Sequence, residues 1–210
     1  LIPRQTKDRI GQMGFNNGSI LSIQSGMQAT GIGQGWTPIC VHLSEIADVP
    51  NPKRTIEEGL LRATHPTKKM FQVHEGTGGG STGWLADTWR NARDGFPLGL
   101  SRFCPLFITW ALAPDLYPHP DWLKKFPIRA GWEPIKETRK HATQCELYIR
   151  STEFLSNVVG SNWKMPREQQ WYWELNYLEA VKKYTERTWF SQMPADDNQA
   201  LTGKNDLIFD

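Results

Sequence analysis

Apolar and polar positions along the first half of the chain alternate on the scale of short strands and amphipathic helices. The opening residues are polar and predict a helix or loop. After the turn pair Asn17-Gly18, the stretch Ser19-Ile20-Leu21-Ser22-Ile23 predicts a strand. Pro38 to Leu43 is a nearly continuous apolar run, the pattern of a strand buried on both faces, and Ser44-Glu45 ends it. Beyond Asn51-Pro52, Thr55-Ile56-Glu57-Glu58 has the form of a capping box. It predicts a helix with Ile56, Leu60 and Leu61 on its apolar side and Pro66 as its stop. Met70 to His74 predicts the next strand, and Ser81 to Arg93 a helix with Trp84, Leu85, Thr88, Trp89 and Ala92 at helical spacing. Phe103 to Trp110 predicts a further strand. This succession of strands and helices is the pattern of parallel crossovers in an α/β sheet.

The second half reads differently. Pro114 to Pro134 is rich in Pro and Trp and predicts an irregular, packed connection. Arg139 to Val159 predicts helix. Pro166 then opens another, with Trp171, Leu175, Leu178 and Val181 on one stripe. These aromatics suit a core or docking surface better than a base-stacking platform. Pro194 to Asp210 reads as a polar linker, with Asp196, Asp197, Asp206 and Asp210 solvated and not forming a two-metal site.

Composition narrows the class. The 210 residues suffice for one domain with a real core, or for a domain with an appendage. No apolar stretch is long enough to cross a bilayer, and mean hydropathy is −0.53. Ten Trp and nine Phe argue against wholesale disorder. A net charge of +2 leaves no global basic field, so nucleic acid must be met by a local patch. Cys40, Cys104 and Cys145 are odd in number and far apart, which fits a reducing compartment and neither a disulfide framework nor a zinc site. His42, His65, His74, His119 and His141 lack metal-ligand spacing.

Two strand ends carry candidate chemistry. In a parallel sheet, strand C-termini open onto a common crevice where ligands bind. A carboxylate there, Glu45, can orient a water for in-line attack on a phosphate. Ser44, preceding it, can bond a metal-bound water but brings no charge. Strands ending in a surface Ser-Glu are also common without any such role. The second strand runs into Glu75-Gly76-Thr77-Gly78-Gly79-Gly80, small residues that permit close backbone approach to a phosphate. The Thr77 hydroxyl can sense a γ-phosphate; the alternative is a plain flexible turn. The loop is not a phosphate-cradling Walker A loop, because its Lys-Ser/Thr pair is missing.

Taken in order, several strings resemble the ATPase motor of the large terminase subunit of tailed bacteriophages. They are Asn17-Gly18-Ser19, the glycines 31, 33 and 35, His42-Leu43-Ser44-Glu45, Glu75-Gly76-Thr77-Gly78-Gly79-Gly80, Trp84-Leu85-Ala86-Asp87-Thr88-Trp89, and Phe103 to Trp110 with Ala113-Pro114. Glu168-Gln169 with Trp171-Tyr172, and Pro194 through Gly203 to Phe209, extend the likeness. The resemblance implies a partial P-loop NTPase sheet of the additional-strand type with flanking helices. Residues 1–135 would be the C-terminal part of the ATPase domain, 136–193 a helical subdomain and 194–210 a linker towards a nuclease domain. Glu45 and Thr77 would be catalytic, in the Walker B and coupling motifs. Ser44, Gly76 and Gly78 would line the nucleotide, with Ser44 reaching Mg²⁺ through water. Gly76 stands where the family often has Ser.

The cofactors implied are ATP and Mg²⁺. The partners implied are double-stranded DNA, the portal protein, the small terminase subunit and further copies in a homo-oligomeric motor, with no membrane. The setting would be the host cell cytoplasm, transiently at the procapsid portal vertex. The chain opens on Leu1 and not Met, and the resemblance expects a Walker A loop before it and a nuclease after Asp210. Residues 29–36 would serve as a mobile lid, and Lys68-Lys69, Lys124-Lys125 and Lys182-Lys183 as DNA-backbone contacts or as a solvated surface. Two rival readings are a non-catalytic docking fragment using the Trp-rich helices, and another additional-strand ATPase such as a helicase core.

Overall fold

Glycines that accept positive φ fold the first residues into an antiparallel meander. A computed structural model describes residues 4–9, 11–25, 37–62, 70–77, 82–114, 116–183, 186, 189–190 and 193–201. Strands β1 (Gln5–Arg9), β2 (Gln12–Phe15) and β3 (Ile20–Ser22) pair in sequence order, with Lys7 opposite Gly14 and Gln12 opposite Ser22. Gly18, at φ 83°, closes the Asn17-Gly18 turn, where the Ser19 amide donates to Asn17 Oδ1 at 3.0 Å. β1 corrects the expectation of a polar helix or loop. Backbone pairing to β2 holds it, so it needs no apolar face of its own.

β4 (Cys40–Leu43) and β5 (Phe71–His74) form a separate two-stranded parallel sheet, with Cys40 opposite Phe71 and Leu43 opposite His74. Val41 is buried, but Cys40 and His42 are exposed, so β4 is not covered on both faces as its apolar run suggested. A wide-turned π-helix, Lys53–Leu61, lies between the two strands in sequence, with Ile56 and Leu60 buried. It starts before Thr55, because Pro52 (φ −59°) already has helical geometry. Thr55 therefore sits inside the first turn, where its hydroxyl donates to the Pro50 carbonyl at 3.1 Å, and the expected capping box does not form. Pro66, the expected stop, lies outside the described residues.

The chain is a mixed α/β protein that divides into two compact units, Leu1–Gly76 and Thr77–Asp210. The second is mainly helical: α1 (Trp84–Gly95), α2 (Pro120–Lys125), α3 (Lys136–Ser151), α4 (Glu153–Val159) and α5 (Arg167–Lys183). Phe103 to Trp110 is not a strand. Residues 101–108 run without strand pairing and alternate half-buried with exposed, and Trp110–Leu112 forms a 3-10 turn. The predicted single helix from Arg139 breaks at Thr152 (φ −97°, ψ 104°), whose hydroxyl donates to the Tyr148 carbonyl at 2.9 Å.

The core of this unit gathers Trp110, Ala142, Cys145, Met165, Trp173, Tyr177, Trp189, Met193 and Ala195. α5 buries part of the stripe predicted for it: Trp171 is buried and Leu175 and Val181 are half-buried, but Leu178 is exposed. Gln169, Trp173, Glu174 and Tyr177 join the buried face. The polar members go inside because each has partners: Gln169 Nε2 donates to the Ala111 carbonyl at 3.0 Å, and Glu174 accepts three hydrogen bonds. The stretch from Pro194 is not a solvated linker as far as residue 201. Asp196 caps the short helix Asp197–Ala200, and Asp197, Ala200 and Leu201 are buried. The Asp197 carboxylate accepts from Trp89 Nε1 at 3.0 Å and pairs with Arg93 at 3.2 Å. Asp206 and Asp210 lie outside the described residues.

Candidate functional site at the ends of the parallel strands

The parallel register of β4 and β5 brings their C-terminal ends side by side. Leu43 lies opposite His74, so the residues that follow, Ser44 and Glu75, emerge next to each other. Backbone bonds bind these ends together: Glu75 N–H donates to the Leu43 carbonyl at 2.8 Å, and Ile46 N–H donates to the Glu75 carbonyl at 3.1 Å. On this frame Ser44 Oγ donates to Glu75 Oε1 at 2.6 Å, and His42 Nε2 lies 3.5 Å from the same oxygen. Glu75 is thus the hub of the site, with His42 and Ser44 both turned to one carboxylate oxygen. Burial lowers the His74 imidazole pKa, favouring its neutral form.

Glu45 occupies the left-handed backbone region, φ 52° and ψ 44°, as the residue that opens the short 3-10 turn Ile46–Asp48. A non-glycine residue pays a steric cost there of about 1–2 kcal/mol. Asn51, at φ 47°, is the other non-glycine residue in this region among the described residues. The turn is anchored by Ile46, which is buried.

Gly76 follows the hub. A Cβ built on it would lie 3.3 Å from the Ile46 nitrogen and 3.5 Å from the Ala47 nitrogen. The close approach of the two strand ends is therefore a local reason for glycine where the family resemblance expects serine. Thr77 is exposed and opens the second unit. Gly78 and the lid residues 29–36 lie outside the described residues, as do Lys68 and Lys69.

The structure therefore brings Ser44, Glu45 and Gly76 to one edge of the small sheet. It adds two residues that the sequence reading gave no role, Glu75 and His42. Their signal was present: aligning the ends of two predicted parallel strands puts the residue after His74 opposite the residue after Leu43. Ser44 gives its proton to Glu75 and keeps oxygen lone pairs for an ordered water. Among the described residues, no three His, Cys, Asp or Glu side chains converge as a metal set. The residues present fit an outer-shell contact to Mg²⁺ through water, and not an inner-sphere ligand set. No family model matches the sequence, and no curated protein or solved structure matches it.

Proposed function

We propose that this chain is part of an ATP-driven motor that moves double-stranded viral DNA into a procapsid, the ATPase of a large terminase subunit. The observation that carries the reading is the pairing of two parallel strand ends, Ser44 to Glu75 at 2.6 Å, with Glu45 held in a strained turn beside them. Parallel strand ends of this kind are where additional-strand P-loop enzymes present their acidic residues to a triphosphate. In this reading the finer fold is a partial P-loop NTPase sheet.

Glu45 orients the attacking water and accepts its proton. Ser44, oriented by its bond to Glu75, would hold Mg²⁺ through a bound water with its remaining lone pairs. Mg²⁺, when bound with ATP, neutralises charge on the phosphates. Thr77, two residues beyond the hub, reports the presence of the γ-phosphate to the loop that follows. The portal protein, the small terminase subunit and further copies of the chain are the partners of this motor.

Packaging of DNA into procapsids tests the function. The intact protein carrying this chain should show DNA-stimulated ATP hydrolysis and ATP-dependent DNA uptake, and Glu45→Ala should abolish both. Uptake by the variant at the wild-type rate would refute the proposal.

A further inference from the structure

A groove lies within the helical unit, where α2 and the turn after it face α5. Its volume is about 550 Å³, within the size range of small-molecule sites. Its walls are aromatic: Trp122, Phe126 and Trp171. The Trp122 and Phe126 rings lie 5.1 Å apart, tilted by 41°. Phe126 is exposed and Trp122 half-buried, so ring surface remains for a ligand. The polar end of Trp171 is already committed, its Nε1 donating to the Phe126 carbonyl at 2.9 Å, which fixes that wall.

Two cations border these rings. Lys125 Nζ lies 5.3 Å from the Phe126 ring centre, and the Arg129 guanidinium 5.9 Å from that of Trp171. Neither has a carboxylate partner among the described residues, whereas neighbouring Lys124 is paired with Asp121 at 2.8 Å. The acid of the groove, Glu179, is paired with Lys183 at 2.7 Å, so its charge is met locally. Asn176 donates to the Tyr172 carbonyl at 2.7 Å, which leaves its own Oδ1 as an acceptor at the groove wall.

Flat rings, two uncompensated cations and one amide acceptor together match a phosphorylated nucleobase. We propose that this groove binds a nucleotide, with the base against Trp122 and Phe126 and the phosphate on Arg129 and Lys125. Base–aromatic stacking is sequence-tolerant and needs an unpaired base, while the cations supply the salt-dependent share of binding. The nucleotide is either free or an unpaired residue of a single strand. This goes beyond the ATPase reading and stands apart from it, since none of its residues belongs to the strand-end site.

The test uses the whole chain with thymidine probes. Tryptophan fluorescence is titrated with thymidine monophosphate, and anisotropy follows a labelled short oligothymidylate at several salt concentrations. Saturable binding is expected, weakened at least tenfold by Arg129→Ala with Lys125→Ala. The double change should also lower the salt slope by about 0.7 per cation removed. Both side chains are exposed, so this variant keeps its fold; Trp122→Ala should separately erase the preference for oligothymidylate over an abasic chain. Tighter binding of the oligonucleotide than of the monophosphate assigns a strand, and equal affinities assign the free nucleotide. Unchanged binding by the double variant, or equal competition by inorganic phosphate, an abasic chain or duplex DNA, would overturn the proposal.

Discussion

Glu45 combines a carboxylate at a strand end with a backbone in the left-handed region. The strain is separable from the chemistry. Glu45→Gly and Glu45→Ala both delete the carboxylate, but only glycine accepts φ 52° without a Cβ clash. The glycine variant should be more stable than the alanine variant by about 1 kcal/mol in urea denaturation. Equal stabilities would show that the turn relaxes freely. A different residue, His141, contributes to the response to acid. It is buried, stacked at 4.5 Å on Trp173, and accepts from Trp110 Nε1 at 3.3 Å, an arrangement that requires the neutral ring.

Burial pushes the His141 pKa down to about 3, well below the ordinary value of 6.5. The unfolded chain therefore binds a proton here that the folded chain excludes, at any pH between those two values. This group makes stability fall as pH drops from about 6.5, by up to about 1.4 kcal/mol per pH unit. His141→Gln, which keeps an acceptor for Trp110, should flatten that slope between pH 7 and 5. Denaturation midpoints measured across this range check it, and an unchanged slope would contradict the assignment.

At the scale of elements, success and failure of the sequence reading have traceable causes. β4 and β5 were legible because each is a short apolar run that ends in polar residues. The same logic misread Phe103 to Trp110. Its period-two alternation is real, but Pro105 has no amide to give a ladder. One face of the segment packs on helix instead, Phe107 meeting Tyr148 edge-on at 5.3 Å. α5 misled in the opposite way, because its buried face includes Gln169 and Glu174, which hydropathy places outside. Glu174 accepts from Trp132 Nε1 at 2.8 Å, Ile135 N–H at 2.9 Å and the Thr138 hydroxyl at 2.8 Å, joining α5 to the start of α3. Glu174→Gln removes one acceptor oxygen from this knot and should destabilise the protein by about 1–3 kcal/mol, read from the shift in urea midpoint.

For the whole molecule, the main lesson concerns polar residues far apart in sequence. Asp197 serves the helical unit by holding Trp89 and Arg93 of α1, more than a hundred positions earlier in the chain. No local pattern could reveal that pairing, and composition alone made the segment look like a linker. Asp197→Ala should leave the indole and guanidinium without their shared acceptor and lower the thermal midpoint by several degrees, at about 2–4 °C per kcal/mol for a chain of this length. A melt by near-ultraviolet circular dichroism, which follows the tryptophans, is the measurement. The strand-end site was half legible: Ser44 and Glu45 are named by their place after an apolar run, whereas Glu75 and His42 acquire meaning only from the parallel register. The central claim is that this edge of the small sheet performs ATP hydrolysis. The direct measurement is ATP binding and steady-state hydrolysis on one preparation of intact Glu45→Gln protein. The account predicts nucleotide affinity within a few-fold of wild type and turnover reduced by about 10²–10⁴-fold; turnover equal to wild type would contradict it.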